Sequence, residues 1–152
     1  MVVPAALAVA FLVSAAPSHT YVGESDQGFP VRAVVQNGAI DRIRVKWAAP
    51  CHTPGYVWGP EATLWFNRQP APFTVAGTRF SDHGTNKFPF RGGRGVMTQR
   101  LSGSFSGTLL AGTQTSTVRV YGNDGKLRDA CSSKVSFTVA PAIPMQPLAP
   151  LH

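Results

Sequence analysis

The run Asn37-Gly38-Ala39-Ile40-Asp41-Arg42-Ile43-Arg44-Val45-Lys46-Trp47 limits what this chain can fold into more than any other stretch. Ile43, Val45 and Trp47 alternate strictly with Arg42, Arg44 and Lys46. A period of two puts three apolar side chains on one face of a β-strand and three cations on the other, a separation that a helix does not make from the same spacing. Asn37-Gly38 supplies the two positive φ angles of a type I′ turn, so the residues on either side of it, from Pro30 to Trp47, form a hairpin.

Strand signals recur along the rest of the chain at hairpin spacing. They include His19-Thr20-Tyr21-Val22-Gly23, Ala62-Thr63-Leu64-Trp65-Phe66, Met97-Thr98-Gln99-Arg100-Leu101, Val118-Arg119-Val120-Tyr121 and Val135-Ser136-Phe137-Thr138-Val139. The 15 glycines and 13 prolines are spread without a period and read as turn punctuation. Pro50, Pro54 and Pro60 make the stretch from Ala48 to Pro60 a long loop, and the stretch from Ser81 to Gly95 is polar and glycine-rich without a strand signal, with a hairpin tip at Arg91–Gly95. Counting gives about eight or nine strands with no helix between them, which predicts an all-β chain with a single antiparallel β-sandwich of jelly-roll or immunoglobulin-like form. Its core is expected from Ile43, Val45, Trp47, Leu64, Phe66, Phe105, Val118, Val120, Val135 and Phe137, closed by Val31, Ala33 and Val35.

Residues 1–18 carry an apolar run of about 13 residues, shorter than the about 20 a membrane span needs, followed by small residues. This resembles a secretory leader without a basic start and predicts export, with no stable membrane span after processing. The domain is then expected over 19–140, with a proline-rich flexible tail over 141–152. In an oxidising compartment the two cysteines, Cys51 and Cys131, are expected to pair, closing a long loop worth about 4 kcal/mol by the chain-entropy model. No C-x-x-C occurs and His19, His52, His83 and His152 are scattered, so no metal or other cofactor is expected.

The pattern Tyr21-x-Gly23-x-Ser25-x-Gln27-Gly28-x-Pro30-Val31, then Cys51, Gly103-x-Phe105-Ser106-Gly107 and Cys131-x-Ser133 before Val135-x-Phe137, resembles a group of small secreted proteins of high-GC Gram-positive bacteria. The resemblance covers both ends of the domain. It implies a β-sandwich with one disulfide and no particular activity.

The formal charge of +7, from 14 basic and 7 acidic residues, favours anionic partners at low salt. Arg42, Arg44 and Lys46, helped by Arg32 on the paired strand, form a basic row suited to acidic glycans or other envelope polymers. Tyr56 and Trp58 offer rings on which sugars could stack. Arg91-Gly92-Gly93-Arg94-Gly95 lacks the helix or the repeats of a nucleic-acid element, so no specific nucleic acid is expected. Glu24 with Asp26, and Asp82 with His83, are the carboxylate and Asp-His pairs open to acid-base chemistry, although turn carboxylates ordinarily serve the local backbone. The leading expectation is an exported, non-catalytic module, secreted or held at the cell envelope, that binds an anionic or carbohydrate polymer. A secreted polysaccharide hydrolase or lyase and a structural or inhibitory protein-binding domain are the alternatives.

Overall fold

A computed structural model describes residues 18–67, 74–76 and 78–143. Every regular element in them is a β-strand. In chain order they are β1 (Ser18–Ser25), β2 (Pro30–Gln36), β3 (Ala39–Pro50), β4 (Val57–Phe66), β5 (Thr74–Ala76), β6 (Arg79–Phe90), β7 (Gly93–Phe105), β8 (Leu110–Gly122) and β9 (Leu127–Pro141). The leader and most of the proline-rich tail lie outside the described residues.

The hairpin around Asn37-Gly38 forms as its turn chemistry requires, with both residues at positive φ. On β3, Ile43, Val45, Trp47 and Ala49 are fully buried while Arg42 and Arg44 are exposed. A bulge at Asp41, opposite the step from Val34 to Val35, shifts the phase so that Ile40 is buried as well.

All neighbours pair antiparallel, and the sheet order is β4-β3-β2-β1-β9-β8-β7-β6-β5. Every pair is consecutive in sequence except β1 with β9. The nine strands therefore form one continuous sheet curled into a half-barrel, where the sequence predicted two stacked sheets. The curl encloses the core. Trp65 on β4 donates its indole N–H to Gln114 Oε1 on β8 at 2.9 Å, although four strands separate β4 from β8 in the sheet. Tyr21 on β1 donates to the carbonyl of Gly107, in the β7–β8 turn, at 2.6 Å.

At one end the curl closes covalently. The β1–β2 hairpin is short, so the last part of β3 and the first part of β9 run past it and meet, and Cys51 and Cys131 face each other as an isolated antiparallel bridge joined by a disulfide. Their Cα atoms are 3.8 Å apart. The His52 N–H bonds to the Ala130 carbonyl, which marks the cysteines as a non-hydrogen-bonded pair, the closer of the two antiparallel spacings. Gln27 fills the notch left by the short hairpin. Its amide accepts from Ala48 N–H at 2.9 Å, donates to the Ala48 carbonyl at 3.0 Å, and reaches Ser133 Oγ at 3.2 Å. In effect one side chain stands in for the missing strand backbone.

Four expectations are corrected. Leu64 is 44% exposed and Phe66 half-buried, while Trp65 is inside. β4 pairs Trp65 with buried Ile43 and Leu64 with exposed Arg44, and partners across a ladder share a face. The stretch from Ala48 to Pro60 is mostly strand, with residues 51–56 as its loop; β4 is the edge of the sheet, where proline is tolerated. Residues 81–95 are a long hairpin with Arg91-Gly92 as its two-residue turn. Phe105 and Val120, both expected in the core, are only partly buried against it.

Candidate functional site

The predicted basic row exists and lies on the outer face of β2 and β3. Arg32 sits directly opposite Arg44, with Val22 beyond Arg32 and Leu64 beyond Arg44 on the flanking strands. The row is interrupted by other chemistry. Arg42 Nε is 3.8 Å from Asp41 Oδ2, Lys46 Nζ lies 5.5 Å from the centre of the Phe29 ring, and Val22 and Leu64 are each nearly half exposed.

Tyr56 and Trp58 are not brought to that row. Tyr56 is 68% exposed in the loop beside the disulfide, where its carbonyl accepts from Cys51 N–H. Trp58 packs its ring 5.3 Å from Phe88 and lies against the core, with its indole nitrogen buried and unpartnered among the described residues. It spans the gap between β4 and β6, partly buried.

The register assembles a second basic face on the outside of β6–β9, from residues scattered over more than fifty positions. One transverse row is Thr85, Thr98, Thr117 and Ser132; a second, two residues along, is His83, Arg100, Thr115 and Lys134; a third, on the other side, is Lys87, Val96, Arg119 and Ala130. Beyond the Arg100 row lie Ser81, Ser102, Thr113 and Ser136. Strands are about 4.8 Å apart and next-but-one residues about 6.8 Å apart, so a hydroxyl strip about 14 Å wide is flanked on both sides by cations. No carboxylate projects from the outer side of β6–β9 themselves: Asp82 shares a row with buried Leu101, Asp124 is in a turn, and Asp129 is turned to the loop after Cys51. Two exposed carboxylates border the face at its β9 edge, Glu24 opposite Thr138 and Asp26, whose backbone N–H bonds the Ser136 carbonyl, while Asp41 and Glu61 lie on the other half of the sheet. Arg100, Arg119 and Lys134 make no ion pair among the described residues.

A shallow cleft of about 230 Å³ opens on this face between Val96, Thr98, Thr117, Arg119 and Tyr121. The Arg94 guanidinium lies 5.4 Å over the Tyr121 ring. Hydroxyls that donate and accept, fixed cations and an aromatic wall suit a polar, negatively charged chain lying across the strands. The alternation of polar residues along β7, β8 and β9 was visible in the sequence. What joins them is the pairing of strands, which single-strand reading does not supply.

The residues considered for acid-base chemistry are not assembled into a pair of side chains. Asp82 and His83 are adjacent on β6 and so project to opposite faces, and the Asp82 carboxylate accepts the His83 backbone N–H at 2.6 Å. The Asp129 carboxyl is held below its ordinary range. The Thr53 hydroxyl contributes most; desolvation opposes it, and the backbone N–H groups of Ala130, Thr53 and His52 add to the lowering. Its role is to pin the 52–53 turn beside the disulfide. No cluster of three or more histidine, cysteine or carboxylate side chains able to hold a metal occurs among the described residues, and no helix there is long and apolar enough to cross a membrane.

The residues behind the family resemblance all have structural tasks. Ser25 Oγ accepts from Phe29 N–H, Gly28 turns at φ 74°, Ser106 Oγ accepts from Leu109 N–H, and a side chain at Gly23 would meet the Thr138 carbonyl at 2.5 Å. Comparison with protein-family profiles, with curated proteins and with solved structures finds no match.

Proposed function

We propose that this protein is an exported, non-catalytic module that binds a linear anionic polymer, an acidic glycan of the cell envelope, across the outer face of β6–β9. The observation that carries the reading is the gathering of Lys87, Arg100, Arg119 and Lys134 around a strip of hydroxyls on four paired strands that present no carboxylate of their own there, Glu24 and Asp26 lying only at its β9 edge. A field of one sign over a flat face attracts polyanions and sets orientation by charge, with the hydroxyls supplying short-range bonds. The disulfide fits an oxidising compartment, as export requires. The row of Arg32, Arg42, Arg44 and Lys46 adds a weaker basic patch on the other half of the sheet.

The experiment is a titration with dextran sulfate and with neutral dextran at rising salt. Between 10 and 150 mM ionic strength the screening length falls from about 30 to about 8 Å. The sulfated polymer should bind at low salt and weaken steeply over that range, and neutral dextran should bind far less on this face. Equal affinity for the two polymers, or affinity for the sulfated one that ignores salt, refutes the reading.

A further inference from the structure

We infer that the cleft at the β8–β9 turn is a subsite for one neutral sugar ring, which makes the polymer a glycan and distinguishes it from polyphosphate or another polyanion. The inference rests on the polymer-binding reading of the adjoining face. The cleft holds about 470 Å³ and is lined by Phe90, Val120, Tyr121, Asn123, Asp124 and Arg128, together with Gly92 and Gly122. That volume is in the range of small-ligand sites.

The polar wall is built by a register change. Val120 pairs with Asp129 but Tyr121 pairs with Leu127, so Arg128 is the extra residue of a bulge, a device that re-aims a side chain away from the strand's alternation. Arg128 Nη2 lies 2.8 Å from Asp124 Oδ2, and Asp124 Oδ1 accepts the Lys126 backbone N–H at 3.1 Å. The pair rests on Gly122. A side chain there would come within 2.7 Å of Arg128 Nε and 2.8 Å of Asp124 Oδ1. A carboxylate and a guanidinium held side by side offer acceptors next to donors while their charges cancel. Neighbouring sugar hydroxyls, each both donor and acceptor, match that pattern, and the Asn123 amide extends it. A phosphate or sulfate would instead face the Asp124 carboxylate.

The apolar wall is aromatic. Phe90 is 40% exposed at the end of β6, and ring faces with their negative quadrupole attract the C–H face of a pyranose. Tyr121 lines both this cleft and the shallow one beside Thr98, Thr117 and Arg119, so a ring seated at the turn leads onto the basic face. The neutral ring and the acidic part of the chain thus have adjacent places.

The test is an amide-shift titration of the native disulfide-bonded protein with neutral glucan and N-acetylglucosamine oligosaccharides, run beside the dextran sulfate titration. At least one oligosaccharide should shift the amides of Phe90, Asn123 and Asp124, and both Asp124→Asn and Phe90→Ala should weaken it about tenfold. The triple change Arg100→Ser, Arg119→Ser, Lys134→Ser should abolish sulfated-polymer binding and leave the oligosaccharide shifts in place. Oligosaccharides that shift nothing at the turn, or shifts unaffected by both cleft variants, overturn the subsite even if dextran sulfate still binds. Loss of dextran sulfate binding in the wild type with the turn shifts intact would overturn the reading of the face and leave the cleft standing.

Discussion

Adding one methyl group at Gly95 should destabilise the protein in a way that a second substitution relieves. A Cβ at Gly95 would lie 2.1, 2.3 and 2.7 Å from three atoms of the Phe88 ring, the three nearest atoms to it. Phe88 in turn lies tilted against Trp58, ring centres 5.3 Å apart, and packs against the core where β6 approaches β4. Gly95→Ala must therefore push the ring off Trp58. Overpacking of this kind costs about 1 to 3 kcal/mol, less about 0.5 kcal/mol regained because alanine loses less entropy in a strand than glycine. Phe88→Ala alone should cost about 2 kcal/mol, below the fully buried range because Phe88 is only partly enclosed. In the double variant the new methyl occupies space the ring has left, so the total should fall short of the sum by about 1 to 2 kcal/mol. Urea unfolding midpoints at fixed pH, with slopes checked for constancy, measure all four corners of the cycle. Additive costs, or a Gly95→Ala midpoint equal to that of the wild type, would show that the ring does not sit where the packing places it.

Two further outcomes follow from the polar groups. Asp129 is held below the ordinary carboxylate value, so its contribution to stability is present above that value and is lost as pH falls through the folded-state value. Asp129→Asn should thus lower the urea midpoint at pH 7, by a gap that shrinks as pH falls below the ordinary carboxylate value, and a gap of constant size across that range would contradict the assignment. Gln114 is fully buried and accepts from the Trp65 indole, while its Nε2 donates to Ser116 Oγ at 3.2 Å. Gln114→Leu should cost about 1 to 3 kcal/mol by stranding that buried N–H, and adding Trp65→Phe should recover part of the loss. If the second change only deepens it, the indole has another partner.

The sequence made β3 legible because its charged and apolar residues alternate without exception from Arg42 to Trp47, and the hairpin before it because Asn37-Gly38 admits few other conformations. Around Trp65 the same method failed. Leu64, Trp65 and Phe66 are all apolar, so alternation is silent there and the phase comes from pairing with β3. The half-barrel escaped the strand count because a sandwich and a curled sheet use the same strands, and the difference lies in whether β1 and β9 pair. β6 read as loop because Ser81, His83, Thr85 and Lys87 face water while Gly84 gives its inner side little apolar signal. The disulfide was readable because the chain has two cysteines and its sequence led us to expect an oxidising compartment. The β6–β9 face was not, since Arg100, Arg119 and Lys134 are ordinary surface residues until the register puts them around one strip.

The central claim is that binding resides on that strip's face and not on the row the sequence singled out. The most direct measurement compares two triple variants in dextran sulfate binding at low salt: Arg100→Ser, Arg119→Ser, Lys134→Ser on β7–β9, and Arg42→Ser, Arg44→Ser, Lys46→Ser on β3. Each removes three positive charges, so the loss of general attraction is the same for both. The account predicts that the first variant loses most of the affinity and the second only the shared, non-specific part. Equal losses, or a larger loss from the β3 variant, would contradict it.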